Sequence, residues 1–218
     1  HFGLDAPDRD SVNVPVWIRD EWNVTEKTVR EDAQAGGVDD PIVYVLLPRL
    51  DADNLRVTLA KYLAAKESIE SRPSPSTPEG FEAIRSMKGK RDISKGRLDG
   101  IISGIVNKAR VYQGGGNLIS ADTFQEGIKS AAEASLVRMF VYFDMADDPS
   151  WHLVVKRAQE GNPAPLDALG YRGDADKHPV CQEIRKFIGG SGKNGSEIRS
   201  KFTGIEFGWP RDAVDGAI

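Results

Sequence analysis

Apolar residues recur at helical spacing in two long stretches that flank a proline-rich segment. Between Asp51 and Glu70 the apolar positions alternate by four and three residues, with one charged member: Leu55, Leu59, Tyr62, Lys66 and Ile69. The same spacing returns further along the chain, at Leu98, Ile102, Ile105, Ala109 and Tyr112. Such heptad-like spacing is typical of helices that pack along a seam. The pattern therefore predicts a helical hairpin over residues 51–112.

The segment between the two predicted helices contains three prolines within residues 73–78. Proline lacks an N–H donor and cannot continue a helix, so the chain is expected to turn there. At about 1.5 Å per residue, the second helix could reach roughly 50 Å and the first roughly 30 Å. Gly89 and Gly96 each cost about 1 kcal/mol of helix stability relative to alanine, so a bend or break is expected between Lys88 and Arg97. The hairpin could pack in a core or serve as a lever or docking arm, and heptad spacing by itself favours ordinary packing.

The first fifty residues alternate between strand-like and helix-like patterns. Residues 12–18 are apolar and β-branched, which predicts a strand, and Pro15 places that strand at an edge or bulge. Thr25 is the expected N-cap of a helix that Gly36-Gly37 ends. The continuous apolar run of residues 42–47 predicts a buried strand, so the segment is expected to form a βαβ unit. It lacks the glycine-rich first turn of the nucleotide-binding version of this unit.

The chain after residue 113 is expected to be almost entirely helical. Ser120 or Asp122 is the expected N-cap of an amphipathic helix, and the apolar run of residues 140–143 extends it. The predicted fold class is mainly α with a small N-terminal α/β element. Four segments follow from these patterns: a small α/β element (1–50), a helical hairpin arm (51–112), a helical domain (113–176) and a helix-turn-helix-like unit (177–218).

The last of these segments predicts three short helices. They are expected to begin at Pro179, at Gly195-Ser196 and just after Trp209-Pro210, with glycines in the turns between them. This rhythm matches the helical half of a helix-turn-helix or winged-helix unit, whose third helix would enter a DNA groove. An ordinary three-helix packing unit fits the same pattern, and the nearly balanced local charge argues against strong phosphate binding.

Charge and composition add three points. Among the 218 residues, 39% are apolar and 28% are charged, with no apolar run long enough to span a membrane, so no membrane partner is predicted. The single cysteine, Cys181, excludes an internal disulfide and indicates a reducing compartment. Residues 80–112 carry 8 basic and 3 acidic side chains, a difference of +5, although the whole chain has a net charge of −4. The second arm helix is therefore a candidate for phosphate contact, although such charge is commonly solvated surface.

If the chain binds DNA, the basic residues of two segments are the expected contacts. In the terminal unit and in the arm these are Lys193, Arg199, Lys201, Arg211, Lys88, Lys90 and Arg91.

Residues 189–194 contain the glycines and the lysine of a phosphate-binding loop, but not their spacing. The motif needs glycine where Phe187 stands and serine or threonine where Asn194 stands, and it should follow a strand rather than a helix. No nucleotide cofactor is therefore predicted for this chain.

Metal sites are not predicted either. His178 and Cys181 could share a helix face, but a structural zinc site needs four ligands, and only His152 and His1 remain as further imidazoles.

Three carboxylates, Asp144, Asp147 and Asp148, could gather around a magnesium ion and support a nuclease or hydrolase. Asp148, which precedes Pro149, more simply caps the next helix. Because no nucleophile elbow or other catalytic constellation is present, the chain is predicted not to be an enzyme.

Five stretches resemble a family of bacterial defence proteins. They follow one another along nearly the whole chain: Pro15-Val16-Trp17-Ile18-Arg19-Asp20 with Val24-Thr25-Glu26-Lys27-Thr28-Val29-Arg30, Ser71-Arg72-Pro73 through Pro78-Glu79-Gly80, Ala109-Arg110-Val111-Tyr112-Gln113-Gly114-Gly115-Gly116, His178-Pro179-Val180-Cys181, and Gly208-Trp209-Pro210-Arg211-Asp212-Ala213-Val214-Asp215-Gly216-Ala217. In these stretches the chain resembles BrxC, the large P-loop ATPase of BREX phage-defence systems, and its relative PglY.

The resemblance implies a setting and a set of partners. Family members look like much longer proteins with an ATPase module towards the N-terminus, and this chain matches only a region downstream of it, so it is expected to be an internal fragment. The resemblance implies the bacterial cytoplasm, other BREX components as partners, and ATP and magnesium for the parent protein alone. Duplex DNA and a second copy of the chain are further candidate partners. The predicted function is a non-catalytic coupling or interaction region, and the alternative is a standalone DNA-binding helix-turn-helix fragment.

Overall fold

A mixed three-stranded sheet and two long helices form the first part of the fold. The structure, a computed structural model, describes residues 2–3, 5–9, 12–71 and 74–218. The described chain is mainly α-helical with a small α/β element near the N-terminus, as the sequence predicts. Among the described residues, no helix has both the length and the apolar composition needed to cross a membrane.

The sheet has the order β1-β2-β3. β1 (Val16–Asp20) and β2 (Val43–Leu47) are parallel and are joined by α1 (Glu26–Gly36), which confirms the predicted βαβ unit. β3 (Arg110–Tyr112) pairs antiparallel with β2. The predicted strand start at Val12 is wrong, because β1 begins only after Pro15, which has no N–H to donate to a neighbouring strand.

Local side chains explain the limits of α1. The Thr25 hydroxyl accepts a hydrogen bond from the Thr28 N–H at 3.2 Å, which confirms the expected N-cap. Gly37 ends the helix with φ at +83°, a region that favours glycine. The predicted end of α1 at Gly36-Gly37 is therefore confirmed as well.

The arm consists of α2 (Ala52–Glu70) and α3 (Pro78–Asn107), and the two helices pack on each other. α3 is continuous through Gly89 and Gly96, so the expected break is wrong, whereas the alternative, a bend, stays a prediction. The expected extension of α3 to Tyr112 is also wrong, because Tyr112 pairs with Tyr44 across β3 and β2. Pairing with a neighbouring strand outweighs the helical spacing of the last arm residues.

The seam of the arm matches the predicted one only in part, since Leu98 and Ile105 are buried as expected. Small or polar side chains occupy part of it, since Thr58, Ala65 and Ser94 are buried together with Leu98 and Ile105. Of the predicted seam residues, Leu59 is 43% exposed, Ile102 is 49% exposed and Lys66 is exposed. Small residues allow two helices to approach closely, so the stripe that faces the partner is not the most apolar one.

The chain divides into two compact units. The first unit comprises His1–Pro7, Val16–Val38 and Val43–Ala131, and the second comprises Asp8–Pro15, Asp39–Ile42 and Ala132–Ile218. The sheet and the arm belong to the first unit.

The remaining helices are α4 (Phe124–Met139), α5 (Trp151–Gln159), α6 (Pro179–Ile188), α7 (Gly195–Phe202) and α8 (Arg211–Gly216). Thr123 caps α4, since its hydroxyl accepts from the Glu126 N–H while the Glu126 carboxylate accepts from the Thr123 N–H, both at 3.2 Å. The expected cap at Ser120 or Asp122 is therefore wrong. The expected continuation of α4 through Phe143 is wrong too, because a separate 3-10 turn spans Phe143–Ala146.

Aromatic residues dominate the core of the second unit. Phe202 stacks on Trp209 with ring centroids 4.8 Å apart, and Phe207 meets both rings edge-on. α6, α7 and α8 begin where the sequence predicts, and α7 has a capping box between Asn194 and Glu197. The three predicted terminal helices are thus confirmed.

Candidate interaction surface on the helical arm

Both ends of the arm are attached to neighbouring strands. α2 follows the end of β2 at Leu47, and the end of α3 at Asn107 leads into β3, which starts at Arg110. β2 and β3 are hydrogen-bonded to each other, so the two connections lie side by side. The sheet therefore holds the base of the arm at two points.

A cluster of charged and aromatic residues lies at this base. The Arg110 guanidinium contacts Glu26 and lies 3.5 Å from Glu21, and the buried Tyr112 hydroxyl donates to Glu26 at 2.6 Å. The hydrogen bond from Tyr112 is the main cause that lowers the pKa of Glu26, and the positive charge of Arg110 lowers it further. Burial, and then the bond to Glu26, raises the pKa of Tyr112 to about 12. The cluster joins α1 to β3 and so fixes the strand that follows the arm.

Because of Tyr112, the first unit is expected to lose stability at alkaline pH. Its folded pKa of about 12 lies above the ordinary value of 10.0, so its contribution is complete below pH 10.0 and is lost as pH rises through the folded pKa. We expect Tyr112→Phe to lower the free energy of unfolding by about 1–3 kcal/mol near neutral pH, because the bond to a carboxylate is lost. Urea titrations over a pH series measure this, with Tyr62→Phe as the control. Equal loss of stability at high pH in wild type and Tyr112→Phe would contradict this assignment.

A groove with a volume of about 520 Å³ lies between α2 and α3 in the middle part of the arm. Its apolar lining comes from both helices and includes Ala64, Ala65, Met87 and Ile93. Ile93 is 63% exposed and lies in this lining beside the half-buried Met87. The groove is therefore an apolar surface that the arm itself leaves uncovered.

Three cations line the same groove. Lys61 comes from α2, and Lys90 and Arg97 come from α3. All three side chains are exposed, and no ion pair links any of them to another of the described residues. No carboxylate lines the groove within the described chain. The groove thus combines an apolar floor with a positively charged rim.

The arm residues predicted to contact DNA lie in different settings. Lys88 and Lys90 are exposed on α3, and of these only Lys90 lines the groove. Arg91 pairs with the neighbouring Asp92 at 2.7 Å. Lys61 and Arg97 were not among the predicted contacts. The seven-residue step from Lys90 to Arg97 places these two residues on one helix face and could have indicated Arg97.

The four predicted contacts of the terminal unit are mostly engaged within the second unit. Carboxylates pair with three of them: Arg199 with Asp215 at 2.6 Å, Lys201 with Glu206 at 2.7 Å, and Arg211 with Asp215 at 3.6 Å. Lys193 lies 5.7 Å from the centre of the Phe187 ring. Paired carboxylates reduce the local positive potential, so this surface is a weaker attractor of phosphate than α3. DNA contact by these residues stays a prediction.

His178 and Cys181 lie in a partly buried, aromatic setting. The His178 ring meets Trp151 and Tyr171 edge-on at centroid distances of 5.6 and 4.9 Å. Burial lowers the pKa of His178 and is the main cause that raises the pKa of the Cys181 thiol.

Within the described ranges, no three histidine, cysteine, aspartate or glutamate side chains gather in a way that could hold a metal ion. Of the three acidic magnesium candidates, Asp148 accepts a hydrogen bond from the Ser150 N–H at 2.7 Å at the start of α5.

Because His178 is partly buried, the second unit is expected to lose stability as the pH falls. Its pKa lies below the ordinary 6.5, so its contribution is complete above that value and is lost as pH falls through the folded pKa. We expect His178→Phe, which keeps the ring packing, to lose less stability than wild type when pH falls from about 7 to about 5. Urea titrations at both pH values, with His152→Phe as a matched control, measure the difference. Identical pH dependence in wild type and His178→Phe would be the contrary result.

Comparison of the chain with protein-family models, with curated proteins and with solved structures gives no match.

Proposed function

We propose that this chain is a non-catalytic coupling and interaction region of a BrxC-like BREX defence ATPase. In this proposal the arm forms contacts with other BREX components or with DNA, and ATP and magnesium act only in the parent protein. The observation that carries the proposal is the attachment of both arm helices to the neighbouring strands β2 and β3. The resemblance to BrxC supplies the setting, a multiprotein defence complex in the bacterial cytoplasm.

Two attachment points make the arm suitable for transmitting force. The two connections are short, with four residues between β2 and α2 and two residues between α3 and β3, so movement of the arm is coupled to the sheet at its base. The bond from Tyr112 to Glu26 and the contact of Arg110 with the same carboxylate oppose separation of β3 from α1. A partner bound to the arm would therefore shift the sheet, and through it whatever the sheet packs against in the parent protein.

Crosslinking in cells that contain the complete BREX system tests the proposal. A photoreactive amino acid at Ile93 on α3 is compared with one at Val38, which lies outside the arm and is equally exposed, at 65% against 63%. We expect Ile93 to crosslink to a BREX component or to DNA, and Val38 to give only background. A second arm position, Lys88, covers contacts made by the side away from the groove. Background signal at both arm positions would overturn the proposal.

A second candidate function, a DNA-binding fragment, is favoured by the unpaired cations of α3. Arg85, Lys88, Lys90, Lys95 and Arg97 form no ion pair with other residues of the described chain. We expect any duplex binding to weaken steeply with salt, and to weaken more in Lys88→Glu/Lys95→Glu than in Arg199→Glu/Lys201→Glu. Fluorescence anisotropy at low and moderate salt measures both effects. A Kd weaker than about 100 µM at low salt, without a salt slope, would remove this candidate.

A further inference from the structure

The groove of the arm has two properties that point to one kind of ligand. Its floor leaves Ile93 exposed and Met87 partly exposed to solvent, and covering such side chains with apolar atoms is favourable. Its rim carries Lys61, Lys90 and Arg97 without a carboxylate to balance them. A ligand that satisfies both features needs an apolar stripe flanked by negative charge.

The spacing of the rim cations matches the repeat of a helix. Lys90 and Arg97 are seven residues apart on α3, which separates their backbones by about 10 Å along the helix axis. Lys61 lines the groove from α2, so the positive charges come from both of its walls. In coiled coils the residues beside the apolar seam carry the charges that select the partner helix. The three cations line the same groove as Met87 and Ile93.

We propose that the groove binds an acidic amphipathic helix of a partner protein, which converts the two-helix arm into a three-helix bundle. Apolar side chains of that helix would cover Met87 and Ile93, and its aspartates or glutamates would face Lys61, Lys90 and Arg97. This inference rests on the proposed interaction function and names the partner chemistry for it.

Duplex DNA fits the groove less well. Phosphates would satisfy the rim cations, but they would leave the apolar floor uncovered, because the outside of a duplex offers no apolar stripe of that kind. A helix with acidic flanks satisfies both the floor and the rim.

The full chain is tested against a labelled helical peptide of about four heptads, with leucine at the seam positions and glutamate beside them. A second peptide has the same leucines and lysine in place of each glutamate. We expect the acidic peptide to bind with a Kd below about 100 µM, and the basic peptide to show no binding at the same concentrations. Fluorescence anisotropy reports both. If the two peptides bind equally, the inference is wrong.

Matched charge reversals on α3 locate the site. We expect Lys90→Glu/Arg97→Glu to raise the Kd of the acidic peptide about tenfold or more and to create binding of the basic peptide. Lys88→Glu/Lys95→Glu makes the same change of charge on the same helix outside the groove, and its Kd is expected to change by less than about threefold. Ile93→Asp should also weaken binding of the acidic peptide about tenfold, while circular dichroism confirms that each variant is folded.

Three further results would overturn the inference. Equal weakening by the two charge-reversal pairs would show that only the overall charge of the arm matters. Competition by a 20-base-pair duplex that depends on Lys90 and Arg97, without peptide binding, would assign the groove to nucleic acid. Self-association in sedimentation that Ile93→Asp abolishes, without peptide binding, would assign it to a second copy of the chain.

The two experiments separate failure of this inference from failure of the proposed function. If Ile93 crosslinks in cells but the acidic peptide does not bind, the inference is wrong and the proposed function stands. If the peptide binds but no arm position crosslinks in cells, the groove chemistry is supported and the proposed function is wrong.

Discussion

Trp209→Ala is expected to lower the free energy of unfolding of the second unit by about 3–5 kcal/mol. Trp209 is only 2% exposed and stacks on Phe202, while its ring meets Phe207 edge-on at a centroid distance of 4.9 Å. Its indole N–H also donates to the Tyr142 carbonyl oxygen at 2.8 Å. The alanine variant therefore leaves a large cavity, and the Tyr142 carbonyl keeps only its longer hydrogen bond, from the Met145 N–H at 3.3 Å. Urea denaturation followed by circular dichroism measures the change.

A conservative variant separates the two contributions of Trp209. Trp209→Phe keeps an aromatic ring in the core but removes the N–H and part of the volume, so a smaller loss of about 1–3 kcal/mol is expected. A loss below about 1 kcal/mol in Trp209→Ala would mean that Trp209 is not central to the packing of the second unit.

Alanine at four glycines of α3 is expected to stabilise the arm by about 3–4 kcal/mol in total. Gly89, Gly96, Gly100 and Gly104 lie inside this helix, and a Cβ added at any of them would meet nothing within 4 Å. Alanine therefore reduces the conformational entropy of the unfolded chain without a clash. Hydrogen exchange measured by mass spectrometry on peptides from α3 should slow by roughly a hundredfold or more.

Gly116→Ala is the contrasting variant in the same unit. Its φ of +77° disfavours any side chain, and its Cβ would lie 2.7 Å from Gln34 Cγ and 3.1 Å from the Arg30 carbonyl oxygen. We expect this variant to be destabilised by about 1–3 kcal/mol. Unchanged exchange in the fourfold alanine variant would contradict the expected stabilisation of α3.

Local rules predict most of the helices and the parallel strands. The hydroxyl of Thr25 and the flexibility of Gly37 limit α1, and Asn194 with Glu197 begins α7. These signals depend on atoms a few residues apart, so the sequence contains all of the information they need. The two predicted limits of α4 are wrong because several polar residues compete to cap its start, and because Phe143–Ala146 turns instead of extending the helix.

Long-range pairing explains the larger errors. β3 is only three residues long, and its apolar positions continue the helical spacing of α3. The pairing of this segment with β2, more than sixty residues earlier, makes it a strand. The choice between Leu59 and Thr58 for the arm seam likewise depends on how closely α2 and α3 approach.

The candidate site was predicted only in part. The positive charge of α3 is visible in the sequence, and Lys90 was among the expected contacts. Its combination with Lys61 and Arg97 around an uncovered floor depends on two helices from separate parts of the chain. The sequence alone could not show that Lys90 lines the groove and that Lys88, which has the same charge on the same helix, lies outside it.

Three features of this protein follow from its amino-acid order without the folded structure: a βαβ element, a proline-interrupted pair of long helices with a basic second member, and three short terminal helices. Periodicity, capping residues and proline act over one or two turns, so these features do not require the rest of the fold. Two further features required the three-dimensional fold, namely the attachment of the arm to two adjacent strands and the apolar groove with a cationic rim in its mid-section. Both arise from contacts between residues far apart in the chain, whose positions are fixed by packing and not by local preference.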